Sequence, residues 1–207
     1  MTKLLLSTMA LGKQLQVANS HVSVGLTNPK SPSNVGAVMR AAGCYSVDQV
    51  LYTGQRYANA AKYNGTKHNT DTKNARDKIP LLAIDDFESL REQLESLPQT
   101  TKIICVDLVE GATPLPHFDH PAQAFYIFGP EDGTISQTVI DSADEVVYVP
   151  TVGCMNLAAS VNVLLYDRLA KSLIEQNKTE SDTALIRKSR DTNNKVKVLN
   201  KTNLERE

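Results

Sequence analysis

Three clusters of polar residues in this 207-residue sequence have types and spacings that could carry chemistry. Asn34 and Arg40 stand in SNVGAVMR, where an apolar stretch reads as a helix. Asn34 is expected at its N-cap, with Arg40 leaning back toward amides that favour anions. FGPEDG, residues 128–133, ends an apolar strand in a Gly-Pro-Glu turn. Such a turn offers the Glu131 carboxylate at a sheet edge and lets a ligand approach the glycine backbone. PTVGCMN, residues 150–156, delivers Cys154 and Asn156 to the start of a second helix. Each cluster also has an ordinary reading: Asn34 and Asn156 as plain helix caps, Arg40 as a solvated helix residue, GPEDG as a common turn.

The elements that must position these residues alternate. Residues 21–27 read as a strand running into Asn28-Pro29, 50–53 as a short strand, and 87–97 as a segment with apolar residues at helical spacing. Residues 102–108, 124–128 and 145–149 follow as short apolar strands, and a long helix runs from about 156 to about 176. This order predicts an α/β fold with a mostly parallel sheet and helices on both faces. Ligands in such folds bind at the carboxyl ends of the strands, where all three clusters fall.

With 41% hydrophobic and 22% charged residues the chain can bury a core. It has no apolar run long enough to span a bilayer, and its leading MTKLLLSTMALGKQ makes a poor signal peptide, so a soluble, cytoplasmic protein is expected. Cys44, Cys105 and Cys154, odd in number and far apart, suit reduced thiols. GxGxxG, Walker and CxxC motifs are absent, which argues against dehydrogenases, NTPases and zinc fingers. His117, Asp119 and His120 sit in a proline-rich loop and read as surface residues, with no metal assigned.

A net charge of −1 hides a segregation. From Arg187 onward seven basic residues face three acidic ones, and the stretch 56–78 carries Arg56, Lys62, Lys67, Lys73, Arg76 and Lys78 against Asp71 and Asp77. The second stretch is read as a loop from Gly65 and its four asparagines. Both are solvated surface or phosphate-tracking arms. In the second reading Arg56, Lys62, Lys67, Lys195 and Lys197 track a phosphate backbone; in either reading residues 179–207 form a polar tail behind a 1–178 domain.

The three blocks TNPKSPSNVGAVMRAAGCYSVD, IFGPEDGTIS and ADEVVYVPTVGCMNLAASVNVLLYD resemble, in order and spacing, the three motifs of the SPOUT RNA methyltransferases of the TrmH type. The resemblance runs from about residue 20 to about 175. It implies a C-terminal deep trefoil knot at about 124–170, bound S-adenosylmethionine, an obligate homodimer, and methyl transfer to a ribose 2'-hydroxyl of RNA. It further implies Arg40 as the catalytic arginine positioned by Asn34, with Glu131, Asn156 and Cys154 as the functional residues of the later motifs. Cys154 stands where many members carry serine. Cofactor contacts fall to Ile127, Phe128, Gly129, Val149, Gly153 and Leu157. Transfer RNA is favoured over ribosomal RNA, because no large additional RNA-binding domain is evident. A non-catalytic RNA-binding protein on this scaffold and a base methyltransferase are the alternatives.

Overall fold

The strand expected at residues 21–27 is β1, His21–Leu26, and it lies near the centre of the sheet. The computed structural model describes residues 20–63, 78–93, 98–176 and 183–198. After β1 come α1 (Pro32–Cys44), β2 (Gln49–Tyr52), α2 (Arg56–Tyr63), β3 (Leu81–Ala83), α3 (Leu90–Gln93), β4 (Lys102–Val106) and β5 (Thr113–Pro114). A 3-10 turn (Leu115–His117) leads on to β6 (Gln123–Phe128), α4 (Gln137–Ser142), β7 (Glu145–Tyr148), α5 (Leu157–Glu175) and α6 (Thr183–Ser189). The strands form one seven-stranded sheet in the order β3-β2-β1-β6-β4-β7-β5. Every neighbouring pair is parallel.

The sequence explains why β6 sits inside that sheet. Ala124 to Phe128 are all buried, as a strand covered on both faces requires. Along it, Ala124, Tyr126 and Phe128 join a cluster with Val35 and Met39 of α1 and Val161 and Leu165 of α5. Phe125 and Ile127 face the opposite side, against Phe87, Leu90, Ile135 and Val139. The period-two alternation of the strand thus divides the core between two helical layers. From the β1–β6 pair, β2 and β3 extend to one side and β4, β7 and β5 to the other. Because every strand is parallel, the loops after β1, β4, β6 and β7 all leave the same edge of the sheet, the edge at which ligands bind in such folds.

Four expectations need correction. Helix α1 begins at Pro32, and its N-cap is Ser31, not Asn34: the Ser31 Oγ accepts a hydrogen bond from the Asn34 amide at 3.3 Å. Proline suits the first turn because its missing N–H has no partner to lose there. Residues 56–63, expected as loop, form α2. Their three alanines favour a helix, and Tyr57 is buried with Ala61 packed against the same core, a spacing of one turn. Of the segment expected to be helical at 87–97, residues 87–89 form a bend and turn and the described helix is Leu90–Gln93, with Leu90 buried; residues 94–97 lie outside the described set. His120, expected at the surface, has a side chain only 4% exposed.

That histidine belongs to a polar cluster that ties α5 to the segment before β6. His120 Nδ1 lies 2.7 Å from the Tyr126 hydroxyl and Nε2 lies 2.9 Å from Asp167 Oδ2. Lys171 Nζ pairs with the same Asp167 oxygen at 2.7 Å and donates to the carbonyls of Leu115 and Phe118. Arg168 donates to the carbonyls of Pro121 and Ala122 and to the Tyr126 hydroxyl. A neutral imidazole that donates to Asp167 and accepts from Tyr126 completes the network. Among the described residues, no helix is long and apolar enough to cross a membrane. Helix α6 has no buried residue, and Lys195 and Lys197 beyond it are exposed.

Candidate active site

Glu131, two residues beyond Gly129 at the end of β6, reaches across to the start of α1. Its Oε2 accepts the Lys30 amide at 2.8 Å, and its Oε1 accepts the Ser31 amide at 3.1 Å and the Asn34 Nδ2 at 3.2 Å. The anion drawn to this helix start is thus the protein's own carboxylate. Burial pushes the Glu131 carboxyl up, but these hydrogen bonds outweigh it and leave the group below its ordinary value. Because Ser31 serves as the cap, the Asn34 side chain is free to bridge. Its Oδ1 accepts from Asn156 Nδ2 at 3.0 Å, while Asn156 Oδ1 caps α5 by accepting the Ala158 and Ala159 amides. One hydrogen-bonded chain, Glu131 to Asn34 to Asn156, therefore links the three sequence blocks.

Beside this chain lies a cleft of about 350 Å³ at the carboxyl ends of β4, β6 and β7. Of the residues expected to meet a cofactor, Phe128, Gly129, Val149 and Leu157 line it, together with Glu131 and Cys154. Ile127 is buried on the opposite face of β6, and Gly153 lies next to Cys154 outside the lining, its carbonyl accepting from Thr151 Oγ1 at 2.7 Å. Arg40 is exposed on α1 and makes no polar contact with any described residue. Lys62 is exposed near the end of α2, and Lys67 lies outside the described residues. Arg56 is engaged within the protein, as a bidentate partner of Asp132.

Asp107 was not singled out in the sequence, although it follows the buried strand at 102–106. It lines the cleft, and its Oδ2 accepts the Ile135 amide at 2.9 Å, which pins the loop after β6. Gly129 makes that contact possible, since a Cβ there would lie 2.8 Å from the same oxygen. A carboxylate directly ending an apolar strand was the available signal. Met155, Thr151 and Ser160 complete the far wall. The lining holds three carboxylates, of Asp107, Glu131 and Asp132, and no cationic side chain, among apolar walls and glycine backbone. Such a site suits a ligand with an apolar body and positive charge.

The fold has counterparts among known structures. In structure it is similar to the TrmH/SpoU tRNA modifying enzyme of A. aeolicus, with a TM-score of 0.64 at 16% identity over 88% of this chain and 93% of that one. It is also similar to the SpoU methyltransferase AviRb from Streptomyces viridochromogenes in complex with the cofactor AdoMet, with a TM-score of 0.60 at 16% identity over 82% of this chain. The match covers 62% of the AviRb chain, so the protein spans about three fifths of that relative. A third similar structure concerns the 2-OH methylation of C/U34 on tRNA, with a TM-score of 0.58 at 18% identity over 75% of this chain and 98% of that one. Among curated proteins none matches. At these identities the structural likenesses speak to the fold. The family itself is given by its sequence profile, which matches residues 21–166, from β1 into α5: the chain belongs to the SpoU rRNA Methylase family.

Proposed function

We propose that the protein transfers a methyl group from S-adenosylmethionine to a ribose 2'-hydroxyl of RNA, with transfer RNA as the favoured substrate. The observation that carries this reading is the chain Glu131–Asn34–Asn156 beside a cleft lined by Phe128, Gly129, Val149 and Leu157. The cleft fits the cofactor: the Asp107 and Glu131 carboxylates, which no cationic side chain among the described residues pairs, complement a sulfonium and an ammonium, and the apolar walls suit an adenine ring. Bound there, S-adenosylmethionine supplies an already activated methyl group. Membership of the family and the AdoMet complex of AviRb support methyl transfer to RNA; the family is named for rRNA, whereas two similar structures are named for tRNA.

The residues of this chain then mainly align the acceptor, since a ribose hydroxyl is a poor nucleophile that gains most from orientation. Asn34, Glu131 and Asn156 hold the starts of α1 and α5 in fixed relation at the edge of the cleft. Arg40, free of any described partner, clamps a phosphate next to the target ribose and stabilises the developing alkoxide, while the phosphate or water takes the proton. A guanidinium is a poor base because it loses its proton only above roughly pH 12. The C-terminal trefoil knot, the homodimer and a cytoplasmic location belong to this proposal, as do the 1–178 domain and the RNA contacts of Lys62, Lys67, Lys195 and Lys197.

The test is transfer from methyl-labelled S-adenosylmethionine to unmodified tRNA and, separately, to rRNA, followed by alkaline hydrolysis, which cannot cut beside a 2'-O-methylated ribose. Label in resistant dinucleotides from the tRNA pool is expected. Label released as mononucleotides would assign base methylation instead, and cofactor binding without transfer to either pool would assign a binding protein. Arg40→Lys is expected to reduce turnover by at least about tenfold with cofactor affinity unchanged, because a point charge cannot replace a bidentate clamp. Near-normal turnover would remove that role from Arg40.

A further inference from the structure

The cleft-lining loop from Gly129 to Ile135 is tied down at three points. Glu131 is bound by the start of α1, and the Ile135 amide donates to Asp107. The third tie is Asp132, whose Oδ1 and Oδ2 accept from Nη1 and Nη2 of Arg56, each at 2.7 Å. Two parallel bonds fix the plane of a carboxylate as well as its distance. Lys30 Nζ adds a looser contact with Asp132 at 3.8 Å. The hydrogen bonds and charge of Arg56 hold the Asp132 carboxyl below its ordinary value, and the same contact raises Arg56 above its own. The Arg56 charge also offsets the repulsion between the adjacent Glu131 and Asp132 carboxylates.

Arg56 is presented by a fixed corner. Gly54, two residues earlier, has φ +74°, and a Cβ there would lie 2.3 Å from Asn28 Oδ1, so only glycine fits. The neighbouring Thr53 Oγ1 accepts the Asn28 amide at 3.1 Å, which joins the loops after β1 and β2. On the other side Tyr57 is buried and meets Tyr52 edge-on at 5.0 Å between ring centroids. The corner is anchored to the sheet, and it places the guanidinium against the one acidic residue of GPEDG that no backbone amide of α1 binds.

We propose that Arg56 is a positioning residue for cofactor binding: it acts through Asp132 to hold the 129–135 wall of the cleft in its binding shape, instead of contacting RNA. The inference rests on the reading of the cleft as the S-adenosylmethionine site. It revises the sequence expectation for Arg56 and gives Asp132 a partner that its position in the turn does not announce.

Calorimetric titration with S-adenosylmethionine of the unmodified protein, Arg56→Ala, Asp132→Ala, the double alanine variant and the charge swap Arg56→Asp with Asp132→Arg tests it. Each single alanine variant should weaken binding by about two- to fivefold, the range of a partly exposed ion pair. The double variant should cost no more than either single one, and the swap should recover part of the loss. Binding of total tRNA over a salt series should keep its slope in Arg56→Ala. Unchanged cofactor affinity in Arg56→Ala, or additive losses in the double variant, overturns the clamp. A salt slope lowered by about one unit makes Arg56 a phosphate contact and also overturns it. Failure of the unmodified protein to bind S-adenosylmethionine overturns the reading of the cleft, and the role of Arg56 with it.

Discussion

Glu131 carries more of the site geometry than any other single side chain, because its two oxygens meet three donors from the start of α1. Its folded-state carboxyl lies below the ordinary glutamate value of 4.5, so ionisation stabilises the fold above that pH and the contribution is lost as pH falls through the lower, folded value. Glu131→Gln offers one acceptor in place of two and sets an amide N–H against backbone donors. The variant is expected to be less stable at neutral pH by about 1 kcal/mol, a figure that allows for solvent screening. Urea midpoints measured from pH 7 to pH 3 should converge for the two proteins at the acid end, and parallel curves would show that Glu131 titrates without stabilising anything. At this scale the sequence is informative. Asn34, Glu131, Cys154 and Asn156 all stand out by residue type and spacing, and the structure joins three of them by hydrogen bonds. The cap differs from expectation because Asn34 and Ser31 are both good capping types, and Pro32 decides between them by starting the helix first.

Helix α5 is positioned at both ends by polar contacts, Asn156 at its start and the His120 cluster toward its end. Burial drives the His120 imidazole down to about 4, against the opposing effect of the hydrogen bond it donates to Asp167, with Arg168 adding to the decrease. The unfolded chain binds that proton near 6.5 and the folded protein does not. Stability is therefore full above 6.5 and declines as pH falls toward 4, by no more than about 3 kcal/mol in total. His120→Gln should flatten the curve between pH 6.5 and 5, a window above the range in which Glu131 titrates. An unchanged slope there would show that the cluster opens and hydrates without cost. The PLPHFDH stretch looks like surface because proline and aspartate dominate its composition. Only the packing of α5 over the sheet supplies Tyr126 and Asp167 as partners six and 47 residues away. Helix α2 is obscured in the sequence by Gly65 and the asparagines around it, which read as loop, although its alanines and the Tyr57–Ala61 spacing favour a helix.

As a whole the protein has a net charge of −1, and the proposed substrate is a polyanion, so affinity must come from local concentrations of positive charge. The described part of the C-terminal segment supplies one, with Lys195 and Lys197 exposed beyond a helix that buries nothing. Charge reversal at both lysines is expected to weaken tRNA binding and to lower its salt slope by about one unit for each phosphate that is no longer neutralised, with S-adenosylmethionine affinity unchanged. A salt slope equal to that of the unmodified protein would make the segment a bystander. Arg56 shows why charge alone does not identify such contacts: it sits in a basic stretch and is occupied by Asp132.

The fold class, the strand ends at which the candidate site lies and the residue types that meet there are legible in the amino-acid sequence. Those features follow from periodicities of two and 3.6 residues and from turn chemistry, which act over a few residues. Tertiary structure alone decided which side chains are paired. It placed Asn34 between Glu131 and Asn156, 97 and 122 positions away, brought Asp107 under Gly129, and closed Arg56 onto Asp132. These contacts depend on the strand order β1-β6-β4, which sets loops distant in sequence side by side. No local pattern encodes that order, because any of the buried apolar strands satisfies the same burial and hydrogen bonding until the connections and helix packing select its neighbours.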